Sequence, residues 1–318
     1  MRILITGFSG FVSRHFLEYL DSQGEEAVVL GVSRSKPAFT FDAYPKLRCD
    51  FRQLDLLDRP SVEAAVVGFE PTHVLHLAAY SSVGFSWQQP VESFANNTNI
   101  FLNLLEQVRK LSAPCRVLSV GSSEEYGNVE PGSLPLHEGT PVKPVSPYAV
   151  ARVAQEMLSN VYVRGYGLDI VMTRSFNHIG PYQRDAFVVP SLAKQLCAIR
   201  YSGAAPRLVT GDRTVVRDFV DVRDVVRAYY VLLQKGTTGE IYNVCSGTGV
   251  SIEHVLSLMQ DELGTAATLE SDPRLLRPTE NRSVVGSYQK LERELGWRPE
   301  INLRESVSRV LRWSKTQL

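Results

Sequence analysis

The chain has 318 residues, a length that accommodates about two structural units of ordinary size. Hydrophobic residues make up 44% and charged residues 21%, a balance typical of globular proteins that excludes the disordered, fibrous and membrane-spanning classes. Lysine plus arginine equals aspartate plus glutamate at 34 each, so we expect a small-molecule partner rather than nucleic acid or an anionic membrane.

Strand patterns rich in β-branched residues alternate with helix patterns through the first half of the chain. The predicted order is strand 2–6, helix 11–20, strand 27–32, strand 73–77, helix 91–110, strand 116–120, helix 147–165 and strand 168–173. The strand segments lack polar alternation, so helices are expected to cover both of their faces. This pattern predicts an α/β fold with a doubly wound parallel sheet.

After Phe176 the pattern loosens into a second, smaller unit. Its predicted elements are helix 188–200, the strand VRDFVDV at 216–222, helix 223–234, strand 240–244 and a helical C-terminal tail. No repeat or linker separates the units, so we expect them to interleave. The predicted division is a dinucleotide-binding domain at 1–175 plus about 213–243, and a substrate domain at about 176–212 plus 244–318.

The four cysteines, Cys49, Cys115, Cys197 and Cys245, have no C-x-x-C spacing. This argues against a zinc site or a disulfide framework and predicts small, buried hydrophobic side chains. The chain opens with MRILITG, so the first strand begins at once and no signal segment is evident. A cytoplasmic location is therefore the default expectation.

The first strand leads into the glycine turn GFSGFVS and then into a helix. Glycine lets a backbone approach a pyrophosphate at a helix N-terminus, and this turn is typical of a dinucleotide-binding Rossmann fold. Cofactor contacts are expected from Gly7, Phe8, Ser9, Gly10, Phe11 and Val12. Ser13 stands where a third glycine is usual, and we expect its small side chain to be tolerated.

The end of the second strand, VVLGVSRSK, has no carboxylate to accept a ribose 2′-hydroxyl. Ser33 and Arg34 stand there instead, which favours the 2′-phosphate of NADP(H), leaves NAD(H) open, and has a solvated basic loop as its alternative. Further cofactor contacts are expected at the ends of the third and fourth strands, from Asp55, Leu56, Leu77, Ala78 and Ala79.

Three segments carry a resemblance to a known family: the glycine turn, VGSSEEYG after the fifth strand, and SPYAVAR at the start of the next helix. Together they resemble the extended short-chain dehydrogenase/reductases over the whole chain. The segments FNHIGP, VRDFVDVRDVV and YNVCSG are most similar to the GDP-4-keto-6-deoxy-D-mannose reductases, with the GDP-mannose 4,6-dehydratases as near relatives. The resemblance implies NADPH-dependent reduction of GDP-4-keto-6-deoxy-D-mannose to GDP-D-rhamnose.

The resemblance also implies catalytic roles. Tyr148 would protonate the C4 oxygen as hydride reaches C4, and Ser122 would hold the same oxygen. A fixed cation nearby lowers the pKa of a phenol; the family has lysine one turn later, whereas this chain has the bulkier Arg152. Glu124 matches the glutamate that removes the C5 proton in the dehydratases, and Glu125 is interpreted as a residue of a solvated turn.

Two alternatives stay open. The Glu124 match keeps a GDP-mannose 4,6-dehydratase possible, although FNHIGP stands where the dehydratases carry FNHESPRRG. The departures at Ser13 and Arg152 keep a sugar-nucleotide binder with attenuated catalysis possible, and would make Tyr148 and Arg152 an ordinary helix pair. The intact Ser122 and Tyr148 favour the reductase.

The remaining site and partner predictions rest on the same resemblance. Arg217 and Arg277 are expected at the substrate pyrophosphate because arginine binds phosphate oxygens bidentately; a surface salt bridge is the alternative for each. Other substrate contacts are expected from Ser81, Asn177, Val189, Lys194 and Glu280, and other cofactor contacts from Asn97, Phe176 and His178. A homodimer is expected through a four-helix bundle built from helices 91–110 and 147–165 of two copies.

Overall fold

The computed structural model describes residues 1–276, 279 and 281–318. Its helices and strands, in chain order, are β1 (Arg2–Thr6), α1 (Phe11–Ser22), β2 (Ala27–Ser33), β3 (Leu47–Gln53), α2 (Arg59–Phe69), β4 (His73–His76), α3 (Val83–Gln88), α4 (Pro90–Val108), β5 (Arg116–Ser122), α5 (Pro147–Tyr166), β6 (Asp169–Ser175), β7 (Asn177–Ile179), α6 (Val188–Ser202), β8 (Arg207–Thr210), β9 (Val216–Asp221), α7 (Val222–Lys235), β10 (Ile241–Val244), β11 (Gly249–Ser251), α8 (Ile252–Leu263), β12 (Thr268–Ser271), β13 (Ser283–Val284), α9 (Gln289–Leu295) and α10 (Leu303–Lys315). The predicted elements are all present with closely similar bounds.

The large sheet has, within the described residues, seven parallel strands in the order β10-β6-β5-β4-β1-β2-β3. Side chains of a strand alternate between faces, so Ile3 and Ile5 pack against α1 and α7 while Leu4 packs against α2 and α4. Apolar helices therefore bury both faces. The predicted doubly wound sheet is confirmed.

A second layer holds the smaller sheet, in which β9 pairs with β7, β11 and β13. Helices α6, α8 and α10 pack together over it through buried residues such as Leu192, Val255 and Val310. The strands β8 and β12 form a separate parallel pair. This unit lies beyond the carboxyl end of β6, where a substrate can reach the edge of the large sheet.

The seam between the units differs from the predicted one in two places. The strand β9 belongs to the small sheet, so the chain rejoins the core of the large sheet at Val220 rather than at about residue 213. Leu291 and Trp297, predicted in the substrate unit, are buried in the core of the large sheet. An apolar strand or helix pattern indicates that a segment is buried but not against which sheet it is buried. This explains why the predicted boundary between the units differs from the observed one.

All four thiols are free, with Cys115, Cys197 and Cys245 buried and Cys49 half-buried. In the part of the chain that the structure describes, no helix is both long and apolar enough to cross a membrane.

Candidate active site

The predicted site residues gather where the parallel strands of the large sheet end. The glycine turn follows β1, Arg34 follows β2, residues 77–81 follow β4, and Ser122 closes β5. The strand order reverses between β1 and β4, because β2 and β3 lie to one side of β1 and β4, β5 and β6 to the other. Ligands of open parallel sheets bind at such a switch point.

The glycine turn fits the pyrophosphate of a dinucleotide. Gly7 has a φ of +69°, and a Cβ added there would lie 2.8 Å from the backbone nitrogen of Ala78. Glycine is thus required both by conformation and by the close approach of the loop after β4. Within the described residues no side chain caps α1 at Gly10, so the first N–H groups of this helix are available to an anion.

Ser13 and Phe8 have structural roles in this turn. The Ser13 hydroxyl donates to the carbonyls of Phe8 at 2.5 Å and Gly10 at 2.7 Å, so it tethers the turn rather than merely being tolerated. The ring of Phe8 is fully buried beneath β2, in space left by the missing side chain of Gly31. The backbone N–H of Phe8 donates to the Val32 carbonyl. The ring and the N–H of Phe8 are therefore used within the protein, and its predicted contact with the cofactor stays a prediction.

The loop after β2 presents two exposed cations, Arg34 and Lys36, beside the turn. Arg34 Nη1 donates to the Tyr80 hydroxyl at 2.7 Å, and its guanidinium lies 4.8 Å from the centre of that ring. Ser9 and Ser35 hydroxyls are 3.1 Å apart and join the loop to the glycine turn. Ser33 is buried and donates to the Ser35 carbonyl at 2.6 Å, so it shapes the loop, whereas Arg34 is exposed.

Asn97 holds the loop that follows β4. It is buried, and its amide accepts from the Tyr80 N–H at 2.8 Å and donates to the Tyr80 carbonyl at 3.1 Å. Asn97 therefore orders residues 80 and 81, and its predicted contact with the cofactor stays a prediction. Ser81 itself is exposed.

The other predicted cofactor residues line the same edge of the sheet. Leu56 is buried, and the Asp55 carboxylate accepts from the Leu57 N–H at 2.9 Å. The half-buried residues along this edge are Ser9, Phe11, Val12, Asp55, Leu77, Ala78 and Ala79. They form a largely apolar surface, rich in backbone atoms, of the kind on which a nucleotide binds.

Tyr148 and Arg152 form a buried hydrogen-bonded pair on α5. The helix begins at Pro147, and positions four residues apart lie on one face, so Arg152 Nε reaches the Tyr148 hydroxyl at 3.2 Å. Only 6% of Tyr148 and 5% of Arg152 is exposed. The Ser122 hydroxyl accepts from the Glu124 N–H at 3.2 Å, which leaves its own hydrogen to be donated to a ligand oxygen.

A side chain missing from the sequence prediction, Gln155, orients Arg152. Arg152 Nη1 donates to Gln155 Oε1 at 2.6 Å and to the Val120 carbonyl at 3.0 Å. Gln155 in turn donates to Ser119 Oγ at 2.9 Å and to the same carbonyl at 3.1 Å. The sequence carries one signal for Gln155: it is a polar residue three positions after Arg152, on the face of α5 that meets β5.

The prediction that Glu125 belongs to a solvated turn is wrong, because its side chain is completely buried. The 3-10 turn that follows β5 directs it inward, and its Oε1 accepts from the Ser122 N–H at 2.6 Å. Burial, reinforced by the negative charge of Glu156, raises the pKa of Glu125 well above its ordinary value. Glu124 remains half-buried directly beside Ser122.

The segment after β6 brings a neutral histidine toward the site. His178 Nε2 lies 3.0 Å from the Tyr229 hydroxyl, and burial lowers the pKa of His178 to about 4. Asn177 beside it is half-buried. Phe176, in contrast, packs in a core cluster with Tyr126, and its N–H is taken by the Val244 carbonyl at 2.9 Å. The structure therefore assigns Phe176 to packing beneath the site.

Among the predicted substrate residues, Arg217 and Val189 are buried and Lys194 is exposed. Arg217 on β9 is buried and donates to the Asn281 carbonyl at 2.7 Å, which sets its guanidinium within the protein. Val189 is buried in the core of the small unit, whereas Lys194 is exposed and pairs with Asp185 at 2.5 Å. Arg277 and Glu280 lie outside the described residues.

Known proteins resemble this chain over almost its full length. The sequence pattern of the GDP-mannose 4,6 dehydratase family matches residues 4–310. The GDP-6-deoxy-D-mannose reductase of Pseudomonas aeruginosa is 33% identical over 314 residues, which cover 98% of this chain and 96% of that protein. The GDP-mannose 4,6-dehydratase of Yersinia enterocolitica is 27% identical, with 98% and 92% covered.

Solved structures agree with this relationship. The structure of RMD from Pseudomonas aeruginosa complexed with NADPH is 32% identical, has a TM-score of 0.85, and is matched over 100% of this chain and 98% of that one. The Thermus thermophilus UDP-glucose 4-epimerase complex with NAD is 32% identical, has a TM-score of 0.86, and is matched over 100% of both chains. With the glycine turn, the doubly wound sheet and the serine and tyrosine at its edge, the chain belongs to the GDP-mannose 4,6-dehydratase family of extended short-chain dehydrogenase/reductases.

Proposed function

We propose that this protein is an NADPH-dependent reductase of a GDP-4-keto-6-deoxy sugar, forming GDP-D-rhamnose from GDP-4-keto-6-deoxy-D-mannose. The observation that carries the proposal is the buried Tyr148–Arg152 pair at 3.2 Å, at the sheet edge that Ser122 closes. The choice of substrate is supported by the similarity to a GDP-6-deoxy-D-mannose reductase, which is 33% identical over 98% of this chain.

The cofactor is assigned to the switch point of the sheet. The close fit of Gly7 against Ala78 and the open N–H groups of α1 suit a pyrophosphate, and Arg34 suits a 2′-phosphate. NADPH held there supplies the hydride for C4. His178, whose pKa burial lowers to about 4, would add no positive charge to the site where the cofactor binds.

The chain's own residues handle the C4 oxygen. Ser122 donates its hydroxyl hydrogen to that oxygen, and Tyr148 transfers its phenolic proton to it as negative charge develops. Arg152 Nε, 3.2 Å from the phenolic oxygen, stabilises the phenolate that remains. The hydride and this proton together complete the reduction of the ketone to an alcohol, and solvent returns the proton to Tyr148.

The diphosphate of the substrate is assigned to Arg217 and Asn177 at the junction of the two units. Arg217 lies in β9, and Asn177 of β7 pairs with Phe219, two residues further along β9. Arg277, Glu280, Ser81 and Lys194 are kept as further contacts on the strength of the resemblance alone.

A 4,6-dehydratase is the second candidate, and one observation favours it. Glu124 lies directly beside Ser122, and its N–H is bonded to the Ser122 hydroxyl at 3.2 Å, so a base is near the substrate carbons. A dehydratase retains and recycles its cofactor, whereas a reductase consumes NADPH from solution. Turnover of free cofactor therefore separates the two functions.

The test uses purified protein with NADPH and a panel of GDP-, UDP- and dTDP-linked 4-keto-6-deoxy sugars. We expect NADPH to be oxidised with the GDP sugar and NMR of the product to show a new C4 hydroxyl. Conversion of GDP-mannose to its 4-keto-6-deoxy derivative without net NADPH consumption would identify a dehydratase. No reaction with any sugar nucleotide would identify a binder with attenuated catalysis.

We also propose that two copies pair through α4 and α5. The outer faces of these helices expose large apolar side chains, with Val91 82%, Val161 57% and Met157 46% exposed. The spacing of Val150, Met157 and Val161 places them on one stripe of α5. A second copy would cover this apolar surface. The cytoplasmic location expected from the sequence stays a prediction.

A further inference from the structure

Glu125 is a buried acid that the reduction mechanism does not use. Its Oε1 accepts from the Ser122 N–H at 2.6 Å, while the Ser122 hydroxyl accepts from the Glu124 N–H at 3.2 Å. These reciprocal bonds form a capping box around the turn that follows β5. The position of the Ser122 hydroxyl therefore depends on where the Glu125 carboxyl group lies.

The protein leaves space for this carboxyl group at Gly121. A Cβ added to Gly121 would lie 2.5 Å from Glu125 Oε1 and 2.4 Å from the Thr173 carbonyl oxygen. The carboxyl group thus occupies room beneath β5 that any other residue at position 121 would fill. The absence of a side chain at Gly121 therefore makes room for the inward-pointing Glu125 directly beneath Ser122.

Arg174 compensates the charge of Glu125 only in part. It donates to both oxygens of Glu156 at 2.9 Å, whereas its Nε is 3.8 Å from Glu125 Oε2. Glu125 is 0%, Arg174 4% and Glu156 6% exposed. Two buried carboxyl groups therefore share one guanidinium, and Glu156 is the better partner.

A buried carboxylate without its own counter-charge is strongly disfavoured and takes up a proton instead. Burial and the adjacent Glu156 raise the pKa of Glu125 in that direction. A neutral carboxyl group still accepts an N–H bond at its carbonyl oxygen. The bond to Ser122 therefore does not require a negative charge.

We propose that Glu125 is a positioning residue for the reduction: as a neutral carboxyl group it holds the Ser122 backbone, so that the Ser122 hydroxyl points at the C4 oxygen. This inference rests on the proposed function for its catalytic consequence. Its structural part, the bond from the Ser122 N–H to Glu125, stands independently of the substrate.

Two substitutions of Glu125 distinguish the contribution of its hydrogen-bonding shape from that of its charge. Glu125→Gln keeps a neutral acceptor of the same size, so kcat should stay within about threefold of wild type. Glu125→Leu leaves the Ser122 N–H buried without a partner, so kcat should fall by about 10- to 100-fold while the KM for NADPH is unchanged. Val307→Ala, a core truncation in α10 of the small unit, is the control for general destabilisation and should leave kcat unchanged.

A double-mutant cycle with Ser122→Ala tests whether Glu125 acts through Ser122. If it does, Glu125→Leu causes no further loss of kcat once the Ser122 hydroxyl is gone. Equal fold losses in both backgrounds, or a loss in Glu125→Gln as large as in Glu125→Leu, would overturn the proposal.

Amide hydrogen exchange provides a readout that needs no substrate. Glu125→Leu should speed exchange at the Ser122 N–H by at least about tenfold, with Val117 and Leu118 in the middle of β5 unchanged. Unchanged exchange at Ser122 would overturn the proposed bond. Inactivity of the wild type toward every sugar nucleotide would instead overturn the proposed function, and the exchange result would still decide the Glu125 assignment.

Discussion

Tyr148 and Arg152 combine a proton donor and a permanent cation in one buried pair. Removing the Tyr148 hydroxyl with Tyr148→Phe leaves the ring, the helix and the surface for the cofactor intact. We expect kcat to fall by about 10² to 10⁴, as loss of a general acid does, while the dissociation constant for NADPH hardly changes. Steady-state kinetics and a fluorescence titration of NADPH measure the two quantities, and a parallel loss of both would contradict the assigned role.

Arg152 stands where the family has lysine, and its surroundings match the larger group. The guanidinium bonds to Tyr148 through Nε and to Gln155 and the Val120 carbonyl through Nη1, and the single nitrogen of a lysine does not match these two positions. Arg152→Lys should therefore lower kcat modestly, by about three- to tenfold. Arg152→Met provides the comparison: if the basic limb of its pH–rate profile coincides with that of wild type, Arg152 does not act on the Tyr148 proton.

Arg34 is an exposed cation of the loop after β2, and we assign it to the 2′-phosphate of NADPH. Arg34→Ala should weaken NADPH binding by about 10- to 100-fold and NADH binding far less, because only NADPH carries that phosphate. Lys36→Ala, also exposed in the same loop, is the matched control and should have a smaller effect. Equal weakening of both cofactors by Arg34→Ala would reject the assignment.

Among the elements, α4 and α5 carry the predicted association of two copies. Val161 is 57% exposed on the outer stripe of α5, so Val161→Glu places a charge where the partner would pack. Light scattering should report a dimer for wild type and a monomer for the variant. Leu57→Glu, at a residue 42% exposed and away from these helices, should stay dimeric. A wild-type monomer at micromolar concentration would end the proposal.

Across the whole molecule, buried neutral histidines link stability to pH. Burial lowers the pKa of His76 to about 3 and that of His178 to about 4, whereas an unfolded histidine titrates near 6.5. Each folded-state pKa is depressed, so the unfolded chain binds more protons below about pH 6.5. The stabilisation is fully present above that pH and is lost as the pH falls toward 4.

His76 is the better of the two for a test, since it lies in the sheet and bonds to Thr6 at 2.9 Å. His76→Asn should reduce the pH slope of the unfolding free energy between pH 6 and 4 by up to about 1.4 kcal/mol per pH unit. His254→Asn, at an exposed residue of α8, is the control and should retain the wild-type slope. Denaturant unfolding at several pH values measures this, and an identical slope in wild type and His76→Asn would contradict the buried-neutral account.

The sequence by itself determined the order of the elements, the doubly wound sheet and the family. Strand and helix periods are local properties, and the glycine turn and the segments around Ser122 and Tyr148 are contiguous in the chain. The assignment of Arg34 to a 2′-phosphate was available for the same reason, because the lack of a carboxylate after the second strand is visible in the residues alone.

Only the tertiary structure decided which polar side chains serve the ligands and which serve the protein. The sequence suggests a solvated turn at Glu125, whereas in the structure Gly121, Glu156 and Arg174 enclose this residue. The bonds from the Asn97 amide to Tyr80 are also not visible in the sequence. Likewise, β9 joins the small sheet although its apolar pattern suits either sheet. In each case the outcome depends on a partner far away in the chain, and the local pattern of a segment carries no information about what packs against it.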